Sequence, residues 1–248
     1  MKMQNIDLIA LAALLHDIGK FGQRADEKDS KIDDFDWQNF CPRDKNGNPT
    51  HKHAAYTAKI LGDLIVEKQK DQKRIIKADS LNGKFIDISA NHHKPQINEE
   101  WIIAAADRLA SGFERETFKE YNEQVEEEIN KNYKEQQLNH LFEKDKFPQD
   151  TLSPKNIFPT TDKGRGYQKL WDDFEKELKV INEKIPNFPE HIKVDALEYL
   201  LKKYTSFIPS ATAFKSKNGV TIPNISLYEH LKTTSIFASA IASMSEEN

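Results

Sequence analysis

Residues 6–20 read IDLIALAALLHDIGK, and this stretch decides the fold. Its first ten residues are apolar around the whole helix circumference apart from Asp7, so the helix they form must lie in the centre of a domain. The apolar run ends at a charged pair, His16 and Asp17. Burying a carboxylate without a partner costs several kcal/mol. The pair therefore predicts a buried partner, and a metal ion is the simplest one.

The composition excludes several classes of protein. The chain has 248 residues with 36 Lys+Arg against 40 Asp+Glu, a net charge of −4 of mixed sign, so no global basic field attracts nucleic acid or anionic lipid. Its single cysteine, Cys41, excludes an intramolecular disulfide and a cysteine-based zinc cluster. The longest apolar run is about half the roughly 20 residues that span a bilayer. We expect a cytoplasmic protein with no membrane contact.

Helical periodicity dominates the rest of the chain, and alternating β patterns are scarce, so the sequence predicts a mainly α fold. Helices are expected after the cap Thr50, from Asn98, near 166–183, near 192–204 and from Ser226 to about Met244. Residues 22–50 lack a clear period and predict a long loop. We divide the chain into a domain at 1–120, a charged helical linker region at 121–190 and a final segment at 191–248.

Histidines concentrate near predicted helix ends, with five of the eight in the first 93 residues. Imidazole and carboxylate donors together suit a divalent transition ion such as Mn, Fe, Co, Ni or Zn, and one or two ions are both compatible with the set. Which of the adjacent His92 and His93 is a ligand stays open. The predicted metal ligands are His16, Asp17, His53, His92, His93 and Asp107.

The adjacency of His16 and Asp17 has a physical reason. Neighbouring side chains on a helix point about 100° apart, so the two can hold one ion from different directions or bridge two ions. Asp17 is the expected bridging carboxylate. Lys20 lies one turn on and is placed to neutralise a phosphate oxygen. We therefore predict that His16, Asp17 and Lys20 carry the chemistry.

The other histidines, and Asp107, also have structural interpretations. His51 is expected on the surface at a helix start, and Asp107 has the alternative of pairing with a neighbouring arginine. His140, His191 and His230 have no carboxylate at an informative spacing, so we interpret them as structural. Any binding of nucleic acid must use a local surface. The residues that could contact the nucleic acid there, on weak evidence, are Arg24, Lys94, Arg108 and Arg115.

Four ordered motifs carry a family resemblance: LLHDIGKFGQRA at 14–25, HAAYTAKIL at 53–61, HHKP at 92–95 and AADRLASGFERE at 105–116. Together they resemble the N-terminal HD nuclease domain of the large subunit of type III CRISPR effector complexes, most closely the III-A (Csm) form. A fifth segment, YTSFIPSAT at 204–212 followed by 222–242, resembles the stretch that leads into the first palm domain of that subunit. The middle of the chain resembles it only weakly.

The resemblance implies a circularly permuted HD helical core that cuts single-stranded DNA with Mn, Ni or Co. It also implies control by target RNA, with the remainder of the large subunit and the other subunits of the complex as partners. The GGDD motif of the cyclase part does not occur here, so we expect a truncated piece or a split subunit without cyclase activity. The apolar last helix is expected to fold back on residues 160–190 or to self-associate.

Two other functions remain open. HDIGK also occurs in HD nucleotide phosphohydrolases and cyclic-dinucleotide phosphodiesterases, although such enzymes should keep a histidine ahead of the His-Asp pair, and none precedes His16. A non-catalytic scaffold module is the other possibility, with a metal that only holds helices together. An intact set of histidines and aspartates favours an enzyme over this scaffold.

Overall fold

A computed structural model describes residues 4–26, 32–67, 74–112, 130–140, 142–143, 145–184, 187–211, 214–216, 219–221 and 224–246. The predicted mainly α fold is confirmed. The described α-helices are α1 (Asn5–Leu15), α2 (Gly19–Ala25), α3 (Asp34–Phe40), α4 (His53–Ile60), α5 (Phe85–Ala90), α6 (Asn98–Ala110), α7 (Tyr167–Lys184), α8 (Glu190–Thr205) and α9 (Leu227–Glu246).

Shorter elements complete the described chain. A π-helical turn, Leu61–Ile65, extends α4, and single 3₁₀ turns lie at Ser80–Gly83, Asn91–His93 and Asn130–Glu135. A small antiparallel hairpin joins β1 (Phe214–Ser216) to β2 (Gly219–Thr221). The expectation of one long loop over 22–50 was wrong, because α2 runs to Ala25 and α3 forms within the loop, capped by the Asp33 side chain.

The central helix is α1, as its sequence predicts. Its residues from Leu11 to Leu15 are buried, and α5, α6 and α9 surround it. Alanines at 12 and 13 are fully buried, and their small side chains allow neighbouring helices to approach closely. Ser89 on α5 donates a hydrogen bond to the Ala12 carbonyl at 2.6 Å, which fixes α5 against this helix.

The last helix, α9, packs along α1 and α6. Its buried face includes Leu227, Leu231 and Ala238, and Ser235 donates to the Ala10 carbonyl at 2.7 Å. The expectation that this helix folds back on 160–190 was therefore wrong, and its self-association stays a prediction. A helix that is apolar all round needs cover on every side, and α9 supplies the cover that α5 and α6 leave incomplete. The boundaries at 120 and 190 stay a prediction.

A glycine contact holds α2 against α4. A Cβ atom at Gly19 would lie 1.9 Å from the carbonyl oxygen of His53, so only glycine fits there without a shift of the backbone. Thr57 on α4 accepts a hydrogen bond from the Gly19 amide at 3.0 Å and donates one to the His16 carbonyl at 2.8 Å. The turn that carries His16 and Asp17 is thus fixed to the helix that begins at His53.

The other side of α2 is covered by α7. Phe21 packs edge-on against Trp171 at 5.0 Å and near Phe174 at 5.7 Å, and Tyr204 on α8 continues this aromatic cluster.

Among the described helices, none is both long enough and apolar enough to cross a bilayer.

The packing of α9 gives a stability prediction. Leu231 is fully buried on this helix, whereas Ile236 on the same helix is 59% exposed. We expect Leu231→Ala to lower the free energy of unfolding by about 2–5 kcal/mol through lost burial and the cavity that remains. The matched control Ile236→Ala should change it by less than about 0.5 kcal/mol. Urea unfolding followed by circular dichroism measures both, and equally small effects would show that α9 is not part of the core.

Candidate metal centre

The Asp17 carboxylate lies at the centre of the site, where α1 ends. Its Oδ1 atom is 3.1 Å from Nε2 of His53 and 3.5 Å from Nε2 of His92. Nε2 of His93 lies 2.8 Å from Nε2 of His53. One donor atom from each of these four residues lies within 4.8 Å of all the others, so they can hold one cation. We name them the first group.

The second oxygen of Asp17 faces a different set of donors. Its Oδ2 atom is 3.2 Å from Nε2 of His230 and 3.4 Å from Nε2 of His16. Oδ1 of Asp107 lies 3.1 Å from the same His230 nitrogen and 3.6 Å from that of His16. We name these four residues the second group. One donor atom from each of them again lies within 4.8 Å of all the others. Asp17 is the member that the two groups share.

Backbone carbonyls orient two of the imidazoles. Nδ1 of His16 lies 2.7 Å from the Ala13 carbonyl oxygen, and Nδ1 of His92 lies 3.1 Å from that of Ser89. Because a carbonyl oxygen can only accept, each Nδ1 carries the hydrogen. The lone pair of each neutral ring is then on Nε2, the atom that faces Asp17. Histidine ligands of metals are commonly oriented in this way.

Several of these donor atoms have no hydrogen-bond partner in the described chain. They are buried, and they comprise Oδ1 of Asp17 and Nε2 of His16, His92 and His230. Buried polar atoms are nearly always satisfied, because an unsatisfied one costs desolvation energy. Three such nitrogens converging on a carboxylate that itself has an unsatisfied oxygen fit a cation as the missing partner. The residues present therefore suit a divalent ion in each group.

The charge states suit cation binding in the first group. Burial lowers the pKa of His53 to about 4 and that of His93 well below its ordinary value, so both rings are neutral at pH 7. Burial raises the pKa of Asp17, but the nearby Lys20 and the site histidines lower it more, and the carboxyl stays ionised. A neutral imidazole and an ionised carboxylate are the forms that bind metals.

The second group holds a proton in this state. Burial lowers the pKa of His16, but the carboxylates of Asp17 and Asp107 outweigh it and raise that pKa to about 9. The pKa of Asp107 is well below its usual range, because the close imidazoles of His16 and His230 outweigh its burial. A cation bound here must displace the His16 proton, so binding at this group releases a proton.

A buried glutamate positions the His92-His93 pair. Glu100, in the first turn of α6, accepts hydrogen bonds from the Gln96 amide at 2.6 Å and from the Asn91 side chain at 2.9 Å. It therefore holds the chain on both sides of the pair. The 3₁₀ turn that carries the histidines ends at His93, as the following Lys94-Pro95 predicts.

The structure brings all six predicted ligands together and adds one that the sequence interpretation missed. His230 was interpreted as structural, but its Nε2 lies between Asp17 and Asp107, which places it in the second group of candidate ligands. A signal was present: His230 lies between Leu227 and Leu231 on one helical face, and a histidine on a buried face needs a polar partner. His140 contacts Phe147 away from the centre, and His191 is exposed.

His51 also differs from its expected surface position. It is half-buried, its ring centroid lies 4.1 Å from that of His93, and its backbone has a positive φ of 51°. Burial lowers its pKa to about 3, so the ring is neutral. A left-handed backbone at a residue other than glycine is strained and often marks a functional site.

The predicted cationic residues differ in exposure and in contacts. Lys20 lies 2.5 Å from Oδ2 of Asp17, with a fifth of its side chain exposed. Arg24 is only 4% exposed and donates to the Lys20 carbonyl at 3.2 Å, which removes it as a surface contact for nucleic acid. Lys94 is exposed beside the first group, and Arg108 is exposed over the ring of Trp101. Arg115 lies outside the described residues.

Comparison with known proteins agrees with this geometry. Residues 1–112 match the HD domain family. Over 95% of its length the chain is 31% identical to "CRISPR system single-strand-specific deoxyribonuclease Cas10/Csm1 (subtype III-A)" of Methanocaldococcus jannaschii, and it spans 28% of that protein.

Two solved structures share the fold at 22% identity. One is the Csm1-Csm4 subcomplex of the type III-A CRISPR-Csm interference complex, with a TM-score of 0.53 over 97% of this chain and 28% of that one. The other is Csm1 of T. onnurineus, with a TM-score of 0.52 over 98% of this chain and 29% of that one. Residues 1–112 thus form an HD domain, within a chain that is related over nearly its whole length to the Cas10/Csm1 large subunit of type III-A CRISPR systems.

Proposed function

We propose that this chain is a metal-dependent nuclease that hydrolyses phosphodiester bonds of single-stranded DNA. The observation that carries the proposal is the Asp17 carboxylate, whose two oxygens each face a separate group of histidine and aspartate donors. A carboxylate shared in this way can bridge two ions. Divalent ions held by these residues would polarise a phosphoryl oxygen and make a bound water more acidic.

The donor set suits Mn, Co or Ni. Imidazoles outnumber carboxylates three to one in the first group and equal them in the second, which is a borderline set rather than a hard all-oxygen one. Asp17 joins the two groups, while the Ala13 and Ser89 carbonyls hold His16 and His92 in the binding orientation. Lys20 is the cation at the edge of the centre, and its partly exposed ammonium can shift from Asp17 toward a phosphate oxygen.

The choice of single-stranded DNA over a small nucleotide is part of the proposal. The curated relative is named as a single-strand-specific deoxyribonuclease, and the chain has no glycine-rich phosphate loop. The partners we propose are the remainder of a large subunit and the other subunits of a type III complex, with control by target RNA. A Csm1 chain that shares this fold was solved together with Csm4, and this supports such an assembly.

Removal of the His-Asp pair tests the catalytic assignment. We expect His16→Ala with Asp17→Ala to abolish Mn-dependent hydrolysis of a single-stranded oligonucleotide, because both groups lose donors. The far-UV helical signal should be largely kept. His191→Ala is the matched control, since this histidine is exposed and away from the centre. Full activity of the double variant would remove the centre from the reaction.

Metal counting tests the two-group geometry. We expect the wild-type chain to bind two Mn or Ni ions, as measured by elemental analysis after equilibrium dialysis. His230→Ala, which removes a donor of the second group only, should lower the count toward one, and His93→Ala should do the same through the first group. Asp17→Ala should weaken the binding of both ions. If the wild type binds a single ion and His230→Ala does not remove it, the second group does not bind metal.

Substrate choice is tested by direct competition between classes. We expect the chain to cut a single-stranded oligonucleotide with Mn, Co or Ni faster than it hydrolyses a deoxynucleoside triphosphate or a cyclic dinucleotide. Turnover of the three substrates is measured side by side at equal concentration. Faster turnover of either small molecule would support a phosphohydrolase or phosphodiesterase instead. Binding of metal with no turnover of any of the three would support a scaffold module.

A further inference from the structure

Two lysines flank the first group. Lys52 immediately precedes His53, and Lys94 immediately follows His93. Both side chains reach α3, the helix that forms inside the expected loop. Nζ of Lys52 lies 5.5 Å from the centre of the Trp37 ring, and Nζ of Lys94 lies 3.4 Å from the carbonyl oxygen of Gln38. The lysines that adjoin two donors of the first group along the chain therefore both reach the helix that carries the Trp37 ring.

The Trp37 ring is held in place. It packs edge-on against Tyr56 on α4, with ring centroids 6.1 Å apart and an angle of 69° between the planes. Tyr56 in turn donates a hydrogen bond to Asp26 at 2.8 Å. The tryptophan is only half-buried, so part of a fixed aromatic surface faces solvent. Such a surface loses little conformational entropy when a planar group stacks on it.

We propose that Trp37, Lys52 and Lys94 form the surface that binds a single-stranded nucleic acid next to the centre. A base stacks on Trp37, and phosphates on either side of it contact the two lysines. Stacking aromatics beside cationic side chains bind single strands with little sequence preference. In a duplex the bases are already stacked and paired, so this surface selects the single-stranded form. The inference rests on the proposed function for its substrate.

The position of the surface leads to the first group. The His51 ring lies 6.1 Å from that of His53 and 4.1 Å from that of His93, and so it joins the lysine edge to the donors. Negative charge limits the surface on the other side, because Asp33 caps α3 and Asp34 and Asp36 lie in its first turn. We therefore expect a strand to bind at the Trp37 side of α3 and to avoid its acidic first turn.

Equilibrium binding tests the surface without cleavage. A fluorescent single-stranded oligonucleotide is titrated with the full chain in EDTA, and Kd is read from anisotropy. We expect Trp37→Ala to raise Kd about tenfold, in keeping with the loss of one stacked base. Trp37→Phe keeps an aromatic ring and should raise Kd less. Trp101→Ala is the matched control, because this tryptophan is 50% exposed and also has a cation over its ring, Arg108.

The lysines have a separate readout. Each phosphate contact adds about 0.7 to the slope of log affinity against log salt for a single strand. Lys52→Ala with Lys94→Ala should therefore make that slope shallower by about 1.4 between low and moderate NaCl. Metal content and melting temperature of each variant are measured alongside, so that a damaged centre or a misfolded chain is recognised.

The outcomes separate the two proposals. The surface is overturned if well-folded Trp37→Ala and the lysine double variant bind the oligonucleotide as the wild type does, or if Trp101→Ala weakens binding equally. It is also overturned if the wild type binds a duplex of the same length as tightly as the single strand. If Trp37→Ala unfolds, the lysine variant decides. Absence of hydrolysis by the wild type with Mn would count against the proposed function and leave this binding result standing.

Discussion

The structure depends on one buried carboxylate, that of Asp17, whose two oxygens face different groups of imidazoles. A single unpaired carboxylate at this depth would be strongly unfavourable. Here the burial is offset by Lys20, by the surrounding histidines and by the cations that their orphaned nitrogens can hold. The cost of burying the charge and the capacity to bind metal therefore come from the same arrangement.

The fold provides that burial. Because α1 is apolar all round, it ends deep inside the protein, and the His-Asp pair that follows it is carried there. Gly19 and Thr57 then fix the turn to α4, which brings His53 to one side of the carboxylate. The α9 helix covers α1 and α6 and brings His230 to the other side. The helix contacts that form the core therefore also place the candidate ligands.

The sequence could predict those parts of the fold and centre that short-range patterns determine. His16, Asp17, the His92-His93 pair and the helical periodicity all belong to local motifs. His230 could not be placed in the same way, because it is more than 200 residues from Asp17 along the chain. An apolar helix face shows that something must cover it but does not show what. Arg24 was misjudged for a related reason: its burial depends on α7, which is also distant in sequence.

The residues of the centre differ in access, and each group combines deeply buried donors with a partly exposed one. His16, His92 and His230 are almost completely buried, whereas His53, Lys20 and Asp107 keep between a tenth and a fifth of their side chains exposed. Lys20 has the most exposed side chain of these residues, so in the proposed function it is the residue best placed to meet an incoming phosphate. The second group takes one of its four donors, His230, from α9, the helix that also covers the core. Loss of α9 would thus remove a donor and uncover α1 at once, so the catalytic unit we propose extends from α1 to α9 and is not confined to the first 120 residues.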